Sequence, residues 1–167
     1  MSPGGLERLW AGWRSDYIEG ITTKGRTDEC LFEALASMDD DEAMILERTA
    51  TTFTVMNAFP YTSGHLMAVP LRHVAGLTEL DTEEASALIS ATQRANAAIE
   101  AAYAPQGINI GMNIGAASGA GVPGHLHVHV VPRWNGDTNF MTAVAETRVL
   151  PESLRHTYEK LRAGFPG

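Results

Sequence analysis

The stretch GHLHVHVVPRW, residues 124–134, puts a histidine at every second position and an apolar side chain between each pair. A period of two belongs to a β-strand, whose side chains point to opposite faces in turn. Leu126, Val128 and Val130 then form one apolar face, and His125, His127 and His129 form the other. Neighbours on one face lie ~6.5–7 Å apart. A strand with so apolar a face must sit in a sheet packed against a core. Three of the chain's six histidines fall in these five positions. A row of imidazoles admits three readings: metal ligands, nucleophile and proton carriers that titrate near neutrality, or polar decoration of a sheet face.

The other segments supply the sheet and its cover. Residues 43–48 (AMILER) and 51–59 (TTFTVMNAF) predict a hairpin with Phe53, Val55 and Met56 buried. Residues 65–70 (HLMAVP) predict a third strand, stopped by Pro70. DTEE predicts a capping box with Asp81 at N-cap and Glu84 at N3. Ala85, Leu88, Ile89, Thr92, Ile99 and Tyr103 share one helical stripe, so a helix is expected over about 82–103, ending near Pro105. GINIGMNIG, 107–115, alternates Ile108, Ile110, Met112 and Ile114 as a half-buried strand does. Residues 30–38 predict a helical turn, 141–150 a strand-like or irregular piece, and 151–164 a helix with Pro151 at N1. The sum is an α+β fold, an antiparallel sheet of about five strands with one long helix and a C-terminal helix. Residues 1–20 read as an N-terminal arm, with Leu6, Leu9, Trp10 and Trp13 partly at helical spacing, and 21–167 as a single domain.

Charge and composition limit what such a domain can bind. A formal net charge of −8 argues against non-specific nucleic-acid binding, which needs basic surface to displace counterions. No apolar run reaches the ~18 residues of a membrane helix, and the opening residues lack the apolar core of a secretory signal. Cys30, the single cysteine, excludes an intramolecular disulfide framework. A cytoplasmic protein is expected, with neither membrane nor nucleic acid as partner. A small phosphorylated ligand remains open, because backbone N–H groups can hold phosphate on an acidic protein. The loop GAGVPG, 119–124, has little side chain to obstruct an anion. A phosphate there would lie against His127 and His129, which favours attack at phosphorus.

Taken together, these residues resemble the histidine-triad (HIT) nucleotide hydrolases and transferases. HLHVHVV fits that family's His-φ-His-φ-His-φ-φ signature, where φ is apolar. NAFPYTSGHLMAV (57–69) is similar to its Asn-x-x-Pro-x-x-x-Gly-His stretch, and LRHV (71–74), the strand with Asn113 and PRWNGDTNF (132–140) agree in order and spacing. LERLWAGWRSDYI resembles the N-terminal arm of a bacterial branch related to diadenosine tetraphosphate phosphorylases. The resemblance implies a homodimeric enzyme that cleaves dinucleoside polyphosphates at the α-phosphate through a covalent nucleotidyl-histidine. It implies His127 as nucleophile, His129 on the phosphate oxygens and leaving group, and His125 as the group that orients the nucleophile. The N–H groups of the loop from Gly119 through Ala120 and Gly121 to Val122 would stabilise the phosphoryl oxygens. Asn57 would hold the ribose hydroxyls, with Val55 and Met67 flanking the base. His65 would support the triad from behind, Asn113 would contact the nucleotide, and Trp134 would cover the site or lie at a dimer interface. Alternatives are an adenosine phosphoramidase and a nucleotide-binding module without turnover.

Two positions depart from the family pattern. Bacterial relatives with Cys-x-x-Cys near residue 30 bind zinc with two further histidines; here the stretch is Cys30-Leu31-Phe32-Glu33, with His73 and His125 as the matching histidines. A Cys-Glu-His-His site is chemically possible, but the balance of expectation is a lost site, so no cofactor is required and a structural zinc is not favoured. A serine found in the phosphate loop of phosphorylase-type relatives is Gly121 here, which weakens strict dependence on phosphate as acceptor.

Overall fold

The computed structural model describes residues 30–137 and 150–166. The expected arm, 1–20, and nearly all of segment 141–150 lie outside the described residues. Five strands form one antiparallel sheet in the order β1-β2-β3-β5-β4. They are β1 (Ile45–Arg48), β2 (Thr52–Met56), β3 (Leu66–Pro70), β4 (Gly107–Gly111) and β5 (Val128–Arg133). The helices are α1 (Leu31–Ser37), α2 (Asp40–Ala43), α3 (Thr82–Tyr103) and α4 (Leu154–Gly164). The chain leaves β3 through α3, runs down the sheet edge as β4, and returns as β5 between β4 and β3. That topology seats the histidine strand inside the sheet, with Met67 of β3 opposite His129.

All five residues of β2 and all five of β3 are buried, so both faces of the sheet are covered there. On one face Leu66, Ala68, Leu126, Val128 and Val130 pack under α3 and α4, against Leu88, Ala91, Ala95, Ile99, Tyr158 and Leu161. Ala91, Ala95 and Ala98 are fully buried, and their small side chains let α3 lie close on the strands. On the opposite face Phe53, Val55, Met67 and Val69 pack under Phe32 and Leu35 of α1. A seven-residue helix is too short to persist alone; burial of those two side chains holds it in place. Val55 and Met67 are thus core residues beneath α1.

The capping box forms as expected: Glu84 N–H donates to Asp81 Oδ1 at 2.8 Å, and Asp81 N–H donates to Glu84 Oε2 at 3.0 Å. Arg72 grips the same Glu84 carboxylate at 2.7 and 2.6 Å. The Arg72 hydrogen bond, then the Asp81 N–H, holds the Glu84 carboxyl down at about 2. Helix α3 ends at Ala104 in the left-handed region, immediately before Pro105.

Four sequence expectations are corrected. Residues 43–44 belong to α2 and its cap, so β1 starts at Ile45. Strand β4 stops at Gly111, and Ile110 and Ile114 are 53% and 46% exposed, because β4 is the sheet edge and α3 does not reach across it. Ile89, expected in the buried stripe, is 52% exposed on α3. The last helix is capped by Ser153, whose Oγ accepts from His156 N–H, so Leu154 is N1 and Pro151 precedes the helix. Among the described residues no helix is long and apolar enough to cross a membrane.

Candidate active site

The imidazole row lies on the face covered by α1, and it is not open along its length. His125 and His127 are 1% and 4% exposed, and both pack on the Phe32 ring, at centroid distances of 5.4 and 4.9 Å. They precede the paired part of β5, and Leu126 N–H anchors this approach on the Val74 carbonyl at 2.6 Å. His129 is only partly buried and faces a cleft of about 450 Å³ lined by Tyr61, Thr62, Gly111, Asn113, Val131 and Arg133, among others. Alternation selects the face, and α1 decides which imidazole meets solvent.

The hydrogen bonds assign the protons. His127 Nδ1 lies 2.8 Å from the His125 carbonyl oxygen. A carbonyl only accepts, so Nδ1 carries the proton and Nε2 presents its lone pair. His125 Nε2 donates in the same way to the Pro70 carbonyl at 2.9 Å, which leaves its Nδ1 as an acceptor 3.2 Å from Cys30 Sγ.

A second chain of bonds sets His129. Tyr61 N–H donates to His65 Nδ1 at 3.1 Å, so the neutral His65 ring carries its proton on Nε2. That atom is 2.9 Å from His129 Nδ1, which must accept, and His129 is left as an Nε2–H donor. His65 is fully buried and reaches this position from Gly64. At φ +86° Gly64 takes a backbone conformation that strains any side chain, and a Cβ would also crowd Pro132 Cγ and Tyr103 Cε2 at 3.2 Å.

Burial is the first cause lowering the pKa of all three triad histidines, because the site disfavours imidazolium. For His127 the His125 carbonyl works against that depression. For His129 the neighbouring His127 adds to it, and the value falls to about 4. The site therefore holds neutral imidazoles at neutral pH: one nucleophilic nitrogen, on His127, beside one N–H donor, on His129, with ring centroids 4.8 Å apart.

The other expected residues sort into those gathered here and those placed elsewhere. Asn57 accepts from Phe59 N–H at 2.7 Å and brings Nδ2 to 3.3 Å from His65 Nε2. Asn113 lines the cleft beside His129. In the loop, Gly119 takes φ +83°, and a Cβ at Gly121 would meet nothing within 4 Å; the space in front of Gly121 is open. Val122 packs on the Phe32 cluster. Trp134 packs edge-on against Tyr103 at 6.1 Å, at the far end of β5, and does not line the cleft. Two contributors escaped sequence reasoning. Phe32 packs on one side of the His125 and His127 rings, and Tyr61 lies against His65 and His129 at 4.7 and 6.0 Å. The signal for Phe32 was an aromatic in a short apolar helical turn, beside the only cysteine.

The donors considered for zinc also have a definite arrangement. Cys30, His73 and His125 each offer a ligand atom within 4.8 Å of the others. Glu33 stands outside that group, with its carboxylate 3.2 Å from His73 Nδ1.

Residues 39–136 match the model of the HIT domain family. An AP-4-A phosphorylase of Mycobacterium tuberculosis is 37% identical over 157 residues, 91% of this chain and 80% of that protein. An asymmetrical bis(5'-nucleosyl)-tetraphosphatase of Schizosaccharomyces pombe is 30% identical over 95 residues, 57% of this chain and 52% of that protein. Among solved structures, a Zn-bound histidine triad family protein of Mycobacterium smegmatis superposes with a TM-score of 0.66 at 28% identity, covering 81% of this chain and 92% of its own.

Proposed function

The chain belongs to the HIT domain family, and on that footing we propose that it cleaves dinucleoside polyphosphates, of which diadenosine tetraphosphate is the type, at the α-phosphate through a nucleotidyl-histidine. The observation that carries this reading is the His125 carbonyl on His127 Nδ1, which leaves the Nε2 lone pair of a neutral imidazole free to attack. The related phosphorylase and tetraphosphatase support the substrate class.

The reaction divides into two displacements. His127 Nε2 forms a bond to the α-phosphorus and the bridging P–O bond breaks; the polyphosphate leaves as an anion, its oxygen accepting a hydrogen bond from His129 Nε2–H. An acceptor, water or inorganic phosphate, then attacks phosphorus, releases its proton to solvent, and breaks the P–N bond to free His127. Two small barriers replace one large one. Asn113, which lines the cleft with His129, and the N–H groups of the Gly119–Val122 loop would take the charge developed on the phosphoryl oxygens. Asn57 would hold the ribose.

A second copy of the chain is part of the proposal. Ile110 lies opposite Val130 and so faces the same side of the sheet as α3, where Ile89 is also exposed. Among the described residues β4 is the sheet edge; an edge strand beside exposed apolar side chains is a surface a protein normally covers, and a homodimer would cover it here.

The decisive assay incubates the full chain with diadenosine tetraphosphate, with and without inorganic phosphate. ADP plus ATP formed only with phosphate identifies a phosphorylase. AMP plus ATP in its absence identifies a hydrolase, the acceptor that Gly121 in place of serine leaves open. Formation of neither product pair overturns the proposal.

A further inference from the structure

We propose that Arg133 and Asn109, at the far end of the cleft that begins at His129, bind the outgoing polyphosphate and make the length of that chain a determinant of turnover. Their role as a leaving-group site rests on the nucleotidyl chemistry proposed above; the anion site itself is tested without it.

The cleft follows from the register of β5 on β4. His129, Val131 and Arg133 alternate onto the histidine face. Across the ladder Gly111 stands opposite His129, and Asn109 opposite Val131. All five line one cleft of about 450 Å³, together with Asn113. On a chain whose formal net charge is −8, none of the described lining residues carries a carboxylate.

The polar groups at its two ends are donors. His129 presents Nε2–H, because its Nδ1 accepts from His65. Arg133 Nη1 donates to Asn109 Oδ1 at 2.7 Å, which orients the amide and keeps the Asn109 Nδ2 protons for a ligand. Arg133 Nε and Nη2 donate to Asp137 at 2.6 and 2.8 Å. A guanidinium has five N–H groups, so among the described residues each Nη keeps one to offer, and the Arg133 side chain is 43% exposed. Asp137 also accepts from Trp134 N–H, which ties the fork to the backbone. A fork held on two sides is pre-organised, so a phosphate meets it without first ordering a long side chain.

Direction follows from the chemistry. Attack by His127 expels the leaving oxygen in line, away from the attacking nitrogen, and His129 is the donor that meets it. Arg133 lies four residues beyond His129, ~13 Å along the strand. A leaving group without phosphates ends beside His129. One with three phosphates extends towards Arg133, and only the longer chain gains the charge-assisted hydrogen bonds there.

The test uses the full chain and two substrates, diadenosine tetraphosphate and the 4-nitrophenyl ester of AMP, whose leaving group has no phosphate. Binding of inorganic tripolyphosphate is measured beside them by calorimetry. In Arg133→Gln the ratio of kcat/KM for the tetraphosphate to that for the ester should fall about 10- to 100-fold, the scale of one lost hydrogen bond to a charged group. Tripolyphosphate affinity should fall by a similar factor. Asn109→Ala leaves the Arg133–Asp137 pair in place and should lower the same ratio about 3- to 10-fold; it carries the test if Arg133→Gln does not fold. An unchanged ratio in a folded Arg133→Gln, or failing that in Asn109→Ala, overturns the proposal, as does a wild-type chain that does not bind tripolyphosphate. A chain that binds tripolyphosphate through Arg133 yet turns over neither substrate overturns the nucleotidyl chemistry and the leaving-group role with it, while the anion site stands.

Discussion

The backbone carbonyl of His125 lies 2.8 Å from His127 Nδ1, so one residue of the triad fixes the tautomer of the next through its main chain. The side chain of His125 is spent elsewhere, on the Pro70 carbonyl and beside Cys30. The three histidines therefore have three separate jobs despite their even spacing.

Removing the nucleophile should abolish turnover. His127→Ala is expected to lower kcat on diadenosine tetraphosphate by at least about 10³-fold, the scale on which nucleophile deletions act in covalent enzymes. Wild-type enzyme denatured at alkaline pH, where the P–N bond survives, should carry adenylate label, and the variant none. Undiminished turnover in His127→Ala would sink the covalent mechanism.

His65 acts through His129, as the donor to its Nδ1 at 2.9 Å. In His65→Phe that nitrogen loses its partner and the proton can settle on either side. A loss in kcat of up to about 100-fold is expected, at the lower end of what losing one well-placed donor to developing charge costs, with KM little changed. His65→Gln, which keeps an N–H donor, should recover much of it. Equal losses in both variants would argue for a purely structural role.

The pH dependence follows from His129, whose pKa is lowered to about 4 from an ordinary 6.5 by burial and then by His127. On acidification the unfolded chain takes up this proton before the folded one. Stability from this group is therefore whole above pH 6.5, declines as pH falls, and is gone below about 4. Urea unfolding between pH 4 and 7 should show a shallower slope in His129→Gln than in the wild type. A ring-proton titration of His129 centred near 6.5 would contradict this.

Phe32 caps both buried histidines and is 1% exposed. Phe32→Ala should destabilise the fold by about 3–5 kcal/mol, the usual cost of emptying an aromatic site in a core. Denaturant unfolding measures it, and Phe32→Leu should recover more than half. A cost under about 1 kcal/mol would mean that α1 is not held by this contact.

Charge at the sheet edge tests the dimer. Ile110→Asp, at a position 53% exposed, should leave an isolated chain folded and convert the dimer to monomer in sedimentation. A wild-type chain that sediments as a monomer would remove the second copy from the proposal.

Much of the fold was legible because its determinants are local. Asp81 and Glu84 announce the start of α3 within four residues, and Pro105 marks its end. The alternation at Phe53 to Met56 and at Leu126 to Val130 assigns faces without any knowledge of partners. The misreadings of burial share one physical cause. Ile89, Ile110 and Ile114 obey the correct period, but period says only that side chains share a face, and whether a neighbour covers that face depends on sheet order. Phe32 went unnoticed for the converse reason: seven residues carry too little periodicity to show that α1 roofs the histidines.

The sequence by itself determined that three imidazoles share one face of a strand and that the opposite face is core, since the two-residue period of an extended chain is a local property. Only the tertiary structure decided what each imidazole does. The partners that set their protons come from far along the chain: Pro70 lies 55 residues from His125, Cys30 lies 95 from it, and His65 lies 64 from His129. A hydrogen bond assigns a proton only when a donor and an acceptor are brought within about 3 Å, and that proximity is made by the β3–β5 pairing and by the seat of α1.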